Sequence, residues 1–548
     1  MSSPDTLVHD LAMRRLALSI AFLVTAVPAV SRAQSFPSPD PVLRRMWALG
    51  MDSSQVYSLA QVLSDSVGPR LTGTPGIKRG NDWLVSRYTA WRITARNEQY
   101  GTWKGWQRGT SHIDLISPRV RTLEGMMLAW SPGTGGKDVT GAAVILPELA
   151  DSNAFVRWLP EVKGKFVLIS MLQPTCRPDA DWEQSATKES FDKLKDDRNK
   201  AQIAWNRRVA NTGYTVGLGT GTLGRRLEQA GAAGVIASRW SNGWGVQKVF
   251  GSLYQERVPA IDIGCEDYGL VYRLAENGQA PMLRVRSESQ FLGDVPVFNT
   301  IAEIKGSAKP NEYVVLSAHF DSWDGGSGTT DNGTGTITML EALRILKLAY
   351  PNPKRTIIVG HWSGEEQGLN GSRAWAEDHK EVVSGLQALF NQDNGTGRVV
   401  NLSSAGLPKA AGNLARWVAQ IPEDLTRGIT LGFPGGPAGG GSDNASFACY
   451  GAPGFGLGAL NWNYGTYTWH TQRDTFDKIV FDDLKNNATL TAMLAYLASE
   501  DPETVARDRR SFDRGPRPVA TGGPGQFQPP SGWPACTPPL RDASRYSR

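Results

Sequence analysis

Apolar residues in the C-terminal half of the chain form short runs that alternate with longer amphipathic stretches. The short runs predict strands over 313–318, 356–360 and 386–391, and the amphipathic stretches predict helices over 335–348, 372–379 and 482–497. Strands that alternate with helices in this way indicate an α/β fold. We therefore expect a mostly parallel, doubly wound sheet with helices on both faces.

The pattern before residue 291 changes once along the chain. Helical periodicity comes first, over 41–49, 54–66 and 80–91, and from about residue 119 short β runs separated by glycine take over, at 139–146, 165–171, 234–237 and 258–261. A short helix is predicted over 224–231, and the highly charged stretch 179–208 predicts a solvent-exposed helix or loop. We therefore predict an inserted, β-rich α+β domain over residues 119–290.

Both ends of the chain differ from its middle. Met13-Arg14-Arg15, an apolar run over 16–30 and Ser31-Arg32-Ala33 are typical of a cleaved export signal over residues 1–33. The apolar run is shorter than the roughly 20 residues that span a bilayer. We therefore expect a soluble periplasmic or secreted protein without stable membrane insertion. Residues 502–548 are rich in Pro, Gly and Arg and predict a disordered tail, which leaves 34–118 and 291–501 to form the α/β domain.

Composition excludes one class of partner and leaves another question open. The net charge is +5 over 548 residues, and lysine and arginine do not cluster with aromatic residues, so we expect no nucleic-acid binding. Of the four cysteines, Cys176 and Cys265 fall in one predicted domain and could pair after export. Buried or free thiols are an equally good interpretation, since spacing does not determine pairing.

Seven residues in the C-terminal half carry the candidate chemistry. They are His319, Asp321, Asp331, Glu365, Glu366, Asp393 and His470. Most of them end a predicted strand or follow one, and this edge of an open α/β sheet is where ligands bind. Neutral imidazole and ionised carboxylate are the ligands of catalytic zinc. A two-metal hydrolytic site also needs one bridging carboxylate and one free carboxylate that moves protons.

Each of these features has an ordinary structural interpretation when it stands alone. Asp331-Asn332-Gly333 is most often a turn, and Glu365-Glu366 is most often a solvated surface. Their occurrence in order within one predicted α/β domain favours a metal site. His361 directly continues a predicted strand, and we interpret it as structural.

The chain resembles the di-zinc exopeptidase family that includes bacterial aminopeptidases and glutamate carboxypeptidases (metallopeptidase family 28). The resemblance covers about 53–118 and 295–500. His319-Phe320-Asp321-Ser322-Trp323-Asp324 and Pro353-Lys354-Arg355-Thr356 are similar to the carboxypeptidase Q branch in particular. The stretch 227–236 resembles a protease-associated domain.

This resemblance implies two zinc ions. His319 and Asp393 would bind one ion, Glu366 and His470 the other, and Asp331 would bridge them. A short peptide would be the substrate, and the family leaves a homodimer open.

The resemblance also implies roles for residues that bind no metal. Glu365 would be the general base and Asp321 would orient His319, while the peptide bond from Asp331 to Asn332 would be cis. Many relatives carry a tyrosine near the last histidine that assists the tetrahedral intermediate. Here Tyr464 and Tyr467 are the candidates.

The activity expected is that of an exported aminopeptidase or dipeptidase. Alternatives are a glutamate-carboxypeptidase-type enzyme, a single-zinc glutaminyl-peptide cyclase, and a non-catalytic receptor-like domain. Recognition of a substrate carboxylate would need arginine or lysine. Arg70, Arg373 and Arg473 are candidates, although surface ion pairing is the more ordinary interpretation of each.

Overall fold

The computed structural model describes residues 38–216, 222–251, 256–510 and 532–542. The export signal predicted over 1–33 lies outside these residues. Within them, no helix combines the length and the apolar character needed to cross a membrane.

The helices and strands of the described residues follow in chain order. The helices are α1 (Pro41–Trp47), α2 (Val56–Gln61), α3 (Pro75–Ala90), α4 (Ser152–Trp158), α5 (Asp179–Ser185), α6 (Lys188–Ala210), α7 (Leu223–Gln229), α8 (Cys265–Glu276), α9 (Thr334–Ala349), α10 (Asn370–Asp378), α11 (Lys380–Ser384), α12 (Ala410–Val418), α13 (Glu423–Thr426), α14 (Ala445–Ala448), α15 (Tyr464–Tyr467) and α16 (Phe481–Glu500). The strands are β1 (Thr94–Ser117), β2 (Arg121–Thr122), β3 (Gly125–Met127), β4 (Val139–Ile145), β5 (Phe166–Leu168), β6 (Gly234–Ala237), β7 (Ala260–Ile263), β8 (Met282–Ile304), β9 (Lys309–His319), β10 (Arg355–Trp362), β11 (Leu386–Asn391), β12 (Val399–Ser403), β13 (Thr430–Gly432) and β14 (Gly454–Ala459).

The C-terminal half is built on four parallel strands in the order β10-β9-β11-β14. Val314 and Leu316 of β9 pack into a core that includes apolar residues of α9 and α16. Val315, on the opposite face, packs with apolar residues of α10, α11 and α14. This alternation confirms the α/β fold with helices on both faces. The sheet becomes mixed at its sides, because β8 is antiparallel to β10 and β12 is antiparallel to β14.

Residues 119–290 contain most of a second hydrophobic core. Strands β4, β5, β6 and β7 pair in parallel, and β3 joins β7 in the antiparallel sense. The expected β-rich character is wrong, since more of this region is helix than strand and α6 alone spans 23 residues. The charge of α6 explains its exposure, and only Leu194 and Trp205 on it are buried. Assignment to the protease-associated type stays a prediction.

Two long antiparallel strands connect the two halves. Strand β1 pairs with β8 from Thr94 opposite Glu303 to Ser117 opposite Met282. One end of β8 also pairs with β4 and the other with β10, so the sheet continues from one core into the other. Strand β8 therefore runs through the domain boundary predicted at 290. Shifts of register interrupt the pairing of β1 with β8 and weaken the regular alternation that would have revealed it.

The cysteines form two disulfides, Cys176–Cys265 and Cys449–Cys536. The first connects the segment before α5 to the start of α8. The second ties the C-terminal segment to the residue that follows α14. Cys176 and Cys265 are therefore paired, and the alternative of buried or free thiols does not apply to them.

The C-terminal segment is partly ordered, and the expectation of a disordered tail is wrong for 502–510 and 532–542. Besides the disulfide at Cys536, the Arg541 guanidinium forms ion pairs with two acidic residues at the end of α10. The main-chain oxygen of Arg541 accepts a hydrogen bond from Thr102 of β1 at 2.9 Å. A covalent bond and specific polar contacts thus order a segment whose composition predicts disorder.

Candidate metal centre

The candidate ligands meet at one edge of the sheet because neighbouring parallel strands end there. Strand β9 ends at His319, Glu366 lies beyond the end of β10, and Asp393 lies beyond the end of β11. Since β10, β9 and β11 are adjacent and parallel, their carboxyl ends bring these three side chains together. Asp331 lies in the turn before α9, and His470 follows α15.

His319 is oriented so that Nε2 faces carboxylates. Its Nδ1 lies 3.0 Å from the main-chain oxygen of Asp321. A carbonyl oxygen can only accept, so this contact places a proton on Nδ1 and directs Nε2 into the site. Nε2 lies 3.2 Å from Asp393 Oδ1 and 3.4 Å from Asp331 Oδ1. A metal ion would find a histidine nitrogen and carboxylate oxygens at this position.

Asp331 has one oxygen on each side of the site. While Oδ1 faces His319, Oδ2 lies 3.3 Å from His470 Nε2, which in turn lies 2.8 Å from Glu366 Oε2. The peptide bond between Asp331 and Asn332 is cis, as the resemblance implied. The structure thus groups His319 with Asp393 on one side of Asp331 and His470 with Glu366 on the other.

The cluster holds an excess of negative charge that would favour binding of cations. Burial and neighbouring carboxylates raise the pKa of Glu365 and of Glu366 well above the usual value. Burial alone would lower the pKa of His319, yet the nearby acidic side chains raise it well above its usual value. Several buried atoms also have no hydrogen-bond partner among the described residues, for example Asp331 Oδ2, Glu366 Oε1 and His470 Nδ1. Divalent ions would relieve this excess of negative charge.

Burial lowers the pKa of His470 to about 4. This imidazole is therefore neutral near pH 7. Metals bind the neutral form of histidine, so His470 is ready to act as a ligand.

Glu365 and Asp321 have distinct surroundings. A carboxylate oxygen of Glu365 lies within 4.8 Å of ligand atoms of His319 and Asp393. The carboxylate of Asp321 accepts hydrogen bonds from the backbone N–H groups of Glu365 at 3.1 Å and Glu366 at 3.2 Å. Its Oδ1 is 3.8 Å from His319 Nδ1. Asp321 thus contacts the His319 ring through its main-chain carbonyl and uses its carboxylate to hold the backbone of Glu365 and Glu366.

Two further residues support the ligands, and sequence reasoning missed both roles. The Trp323 indole N–H donates to Glu366 Oε2 at 2.9 Å. The buried carboxylate of Asp474 accepts from the backbone N–H groups of Thr330 at 2.8 Å and Asp331 at 3.0 Å. Trp323 lies in the His319 motif and Asp474 lies four residues after His470, so proximity in sequence was the available signal.

The structure distinguishes the two candidate tyrosines. Burial and the nearby carboxylate of Asp331 raise the pKa of the Tyr464 hydroxyl well above its usual value. Tyr464 therefore keeps its proton near neutral pH. The Tyr467 side chain is 36% exposed.

The three candidate arginines have different surroundings. Arg70 is fully buried, and its guanidinium donates to the main-chain oxygens of Phe320 at 2.7 Å and Gly328 at 2.7 Å. Arg473 forms an ion pair with Glu124 at 2.7 Å. Arg70 thus supports the loops around the site and is no surface residue, whereas Arg373 is partly buried in α10.

His361 lies outside the cluster. Its Nε2 is 2.7 Å from the Tyr88 hydroxyl, and burial lowers its pKa to about 3. This placement agrees with the structural interpretation of that histidine.

Two histidines that face a shared carboxylate, with further carboxylates around them, form a donor set that fits the metal centre of a hydrolase. Residues 299–495, which contain every candidate ligand, match the model of peptidase family M28. These residues therefore form a peptidase domain of the M28 type, and the chain is a metallopeptidase.

Similarity to individual proteins extends beyond the matched domain. The chain is 25% identical to carboxypeptidase Q of Mus musculus over 461 residues, which are 84% of this chain and 88% of the mouse protein. Carboxypeptidase Q of Homo sapiens is 24% identical over 464 residues, again 84% of this chain and 88% of the relative.

Solved structures share the fold. A peptidase M28 precursor from Shewanella amazonensis superposes with a TM-score of 0.61 at 23% identity, over 85% of this chain and 97% of the other. A zinc aminopeptidase from Bacillus subtilis gives a TM-score of 0.52 at 19% identity, over 83% of this chain and 96% of the aminopeptidase. Because both similarities extend well beyond residues 299–495, they support the fold of the chain as a whole.

Proposed function

We propose that this metallopeptidase is an exported zinc exopeptidase that hydrolyses a terminal peptide bond of short peptides. The observation that carries the proposal is the two-sided Asp331 carboxylate, with His319 and Asp393 on one side and His470 and Glu366 on the other. Relatives support the metal and the reaction, since one similar structure is a zinc aminopeptidase and the two relatives described above are carboxypeptidases. The two disulfides favour an oxidising compartment.

The donor set fits two zinc ions. Imidazole nitrogen and carboxylate oxygen are zinc ligands, and each side of Asp331 offers one of each besides the shared carboxylate. When bound, the ions supply Lewis acidity, which lowers the pKa of water and polarises a peptide carbonyl. A second candidate, a single-zinc glutaminyl-peptide cyclase, would leave one of these two ligand pairs without a metal.

Glu365 carries out the proton transfers in this proposal. Its carboxylate accepts a proton from the attacking water as the water oxygen bonds to the peptide carbonyl carbon. The same proton then passes to the amide nitrogen as the C–N bond breaks, and a free amine leaves. Asp321 supports both steps, because its carboxylate holds the backbone N–H of Glu365 and thereby positions the base.

Tyr464 is the tyrosine placed to stabilise the reacting carbonyl oxygen. Its raised pKa keeps the hydroxyl protonated, and the carboxylates that raise this pKa, Asp331 among them, belong to the candidate metal centre. An O–H donor near a developing oxyanion lowers the barrier by electrostatic stabilisation. Of the two tyrosines that the sequence offered, we therefore propose Tyr464 for this role.

Cleavage of one matched peptide set tests the proposed function. Free, N-acetylated and C-amidated forms of the same short peptides, together with free dipeptides, are incubated with the zinc-loaded protein and analysed by mass spectrometry. We expect removal of single terminal residues, and loss of cleavage after N-acetylation would identify an aminopeptidase. Loss only after C-amidation would identify a carboxypeptidase, and cleavage of dipeptides alone would identify a dipeptidase. A protein that binds two zinc ions and cleaves none of these peptides would contradict the proposal.

Arg373 provides a cation for recognition of a substrate carboxylate. In the described part of the chain it forms no ion pair within 4 Å. Burial lowers the pKa of its guanidinium, and the negative charges of Asp443 and Glu365 act in the opposite direction. A cation near the general base fits the free C-terminus of a dipeptide. This observation favours a dipeptidase within the proposed activity.

Replacing Arg373 by Met should therefore raise KM for free dipeptides and leave KM for their C-amidated forms unchanged. A hydrogen bond to a charged group contributes about 1.5–3 kcal/mol, which corresponds to roughly 10–100-fold in KM. Steady-state kinetics on both substrate forms measures the difference, and Arg373→Lys, which keeps the charge, is the matched control. Equal changes for free and amidated dipeptides would assign Arg373 a purely structural role.

A further inference from the structure

The segment Gln247–Phe250 of the inserted region lies directly against the loop that carries His470. The Val249 N–H donates to the main-chain oxygen of His470 at 2.7 Å, and Lys248 forms an antiparallel bridge with Thr471. The Phe250 ring packs edge-on against the His470 ring at 5.2 Å. A candidate metal ligand of the C-terminal half is thus in contact with residues that lie more than two hundred positions earlier.

His470 has a backbone conformation that needs external support. Its φ is 53°, in the left-handed region that costs free energy for any residue with a side chain. Such a conformation persists only where surrounding contacts hold it. The hydrogen bond from Val249 acts on the carbonyl of this same residue.

Lys248 holds the other side of the His470 loop. Its ammonium group donates to the main-chain oxygens of Gly465 at 2.7 Å and Trp469 at 2.6 Å, and it lies 4.4 Å from the centre of the Trp469 ring. The Trp469 ring stacks on the His470 ring at 3.9 Å with an interplanar angle of 26°. Lys248 therefore fixes the aromatic surface on which the imidazole lies.

Glutamine side chains connect these contacts to the core of the inserted region. The backbone N–H of Gln247 donates to Gln472 Oε1 at 2.8 Å, and Gln472 Nε2 donates to the main-chain oxygen of Gly245 at 2.7 Å. The Gln247 side chain donates to the buried Asp262 of β7 at 2.9 Å. The segment against His470 is thus anchored in the second hydrophobic core.

We propose that Gln247–Phe250 is part of the metal centre and that Lys248 is a positioning residue for His470. Through this contact the inserted region sets the zinc affinity of the position formed by His470 and Glu366, and leaves the position formed by His319 and Asp393 unaffected. The inference rests on the proposed function, because it requires two zinc positions.

Zinc binding by Lys248→Met tests the proposal. Two ions per chain are loaded and then removed by chelators of graded affinity, and the zinc that remains is measured by elemental mass spectrometry. Loss of a support outside the ligands typically weakens metal binding roughly 10–100-fold. We expect a weakening of that size for one of the two ions and none for the other. Removal of a positive charge by itself would strengthen cation binding, so weaker binding is the direction that only a positioning role predicts.

Three further variants complete the test. Lys248→Arg keeps the charge, and its affinity for both zinc ions should stay within about threefold of the wild-type affinity. This change is much smaller than the roughly 10–100-fold loss expected for Lys248→Met. Lys193→Met, on the exposed surface of α6, should change neither ion. Gln472→Met removes the contact from the opposite side and should weaken the same ion as Lys248→Met. It keeps the test valid if Lys248→Met does not fold.

The outcomes separate this inference from the function on which it rests. Unchanged affinity for both ions in Lys248→Met and Gln472→Met would overturn the inference, and so would equal loss of both ions together with a lower melting temperature. If the wild-type protein binds fewer than two zinc ions, the two-zinc proposal itself is overturned.

Discussion

Replacing Glu365 by Gln should lower kcat by roughly 10²–10⁴-fold, the usual contribution of a positioned general base. Gln has the same shape but cannot take a proton from water at neutral pH. The carboxylate lies among ligand atoms of His319 and Asp393, while the separate pair of His470 and Glu366 is left untouched. We therefore expect two zinc ions per chain and an unchanged melting temperature in the variant.

Kinetics and zinc content measured on the same preparation check this result. Glu189→Gln, an exposed glutamate in the first turn of α6, is the matched control and should retain full activity. If Glu365→Gln keeps near-normal kcat with both ions bound, another group is the base. If it loses zinc, Glu365 is a ligand rather than the base.

Replacing Asp331 by Ala should weaken both zinc positions and abolish measurable activity. Its two oxygens face His319 at 3.4 Å and His470 at 3.3 Å, so one substitution removes a ligand from each side. Supporting residues outside the ligand set already contribute roughly 10–100-fold to metal affinity, and loss of a direct ligand should exceed this range. Zinc per chain should fall from two to below one at moderate chelator strength.

Asp393→Ala is the informative comparison. Asp393 lies 3.2 Å from His319 and on the side away from the His470–Glu366 pair, so this variant should lose one ion and keep the other. Titration with graded chelators distinguishes the two patterns. Loss of a single ion in Asp331→Ala, with the second held as tightly as before, would show that Asp331 does not bridge the two positions.

The sequence predicted the central sheet well because its signals are local. Strand β11 was predicted over 386–391 and is found over the same residues. Buried apolar runs followed by polar ligands identify strand ends, and the helices between them predict parallel pairing. The candidate ligands could therefore be assigned to one edge of the sheet from the sequence alone.

Non-local features were missed for a common reason. Strands β1 and β8 pair along their length across register shifts, so neither shows the regular alternation on which sequence reasoning depends. The ordered part of the C-terminal segment is held by the Cys449–Cys536 disulfide and by ion pairs of Arg541. The composition of the segment cannot predict these contacts, because they depend on residues elsewhere in the chain.

The residue types of the site, their order and their positions at strand ends could all be inferred from the amino-acid sequence. Those properties follow from covalent order and from the burial of short apolar runs. Two contacts became visible only in the folded chain: the Asp321 carboxylate holds the backbone of Glu365 and Glu366, and Lys248 supports the loop of His470. These contacts join residues far apart in the chain, and their geometry is set by packing of two cores rather than by any local preference.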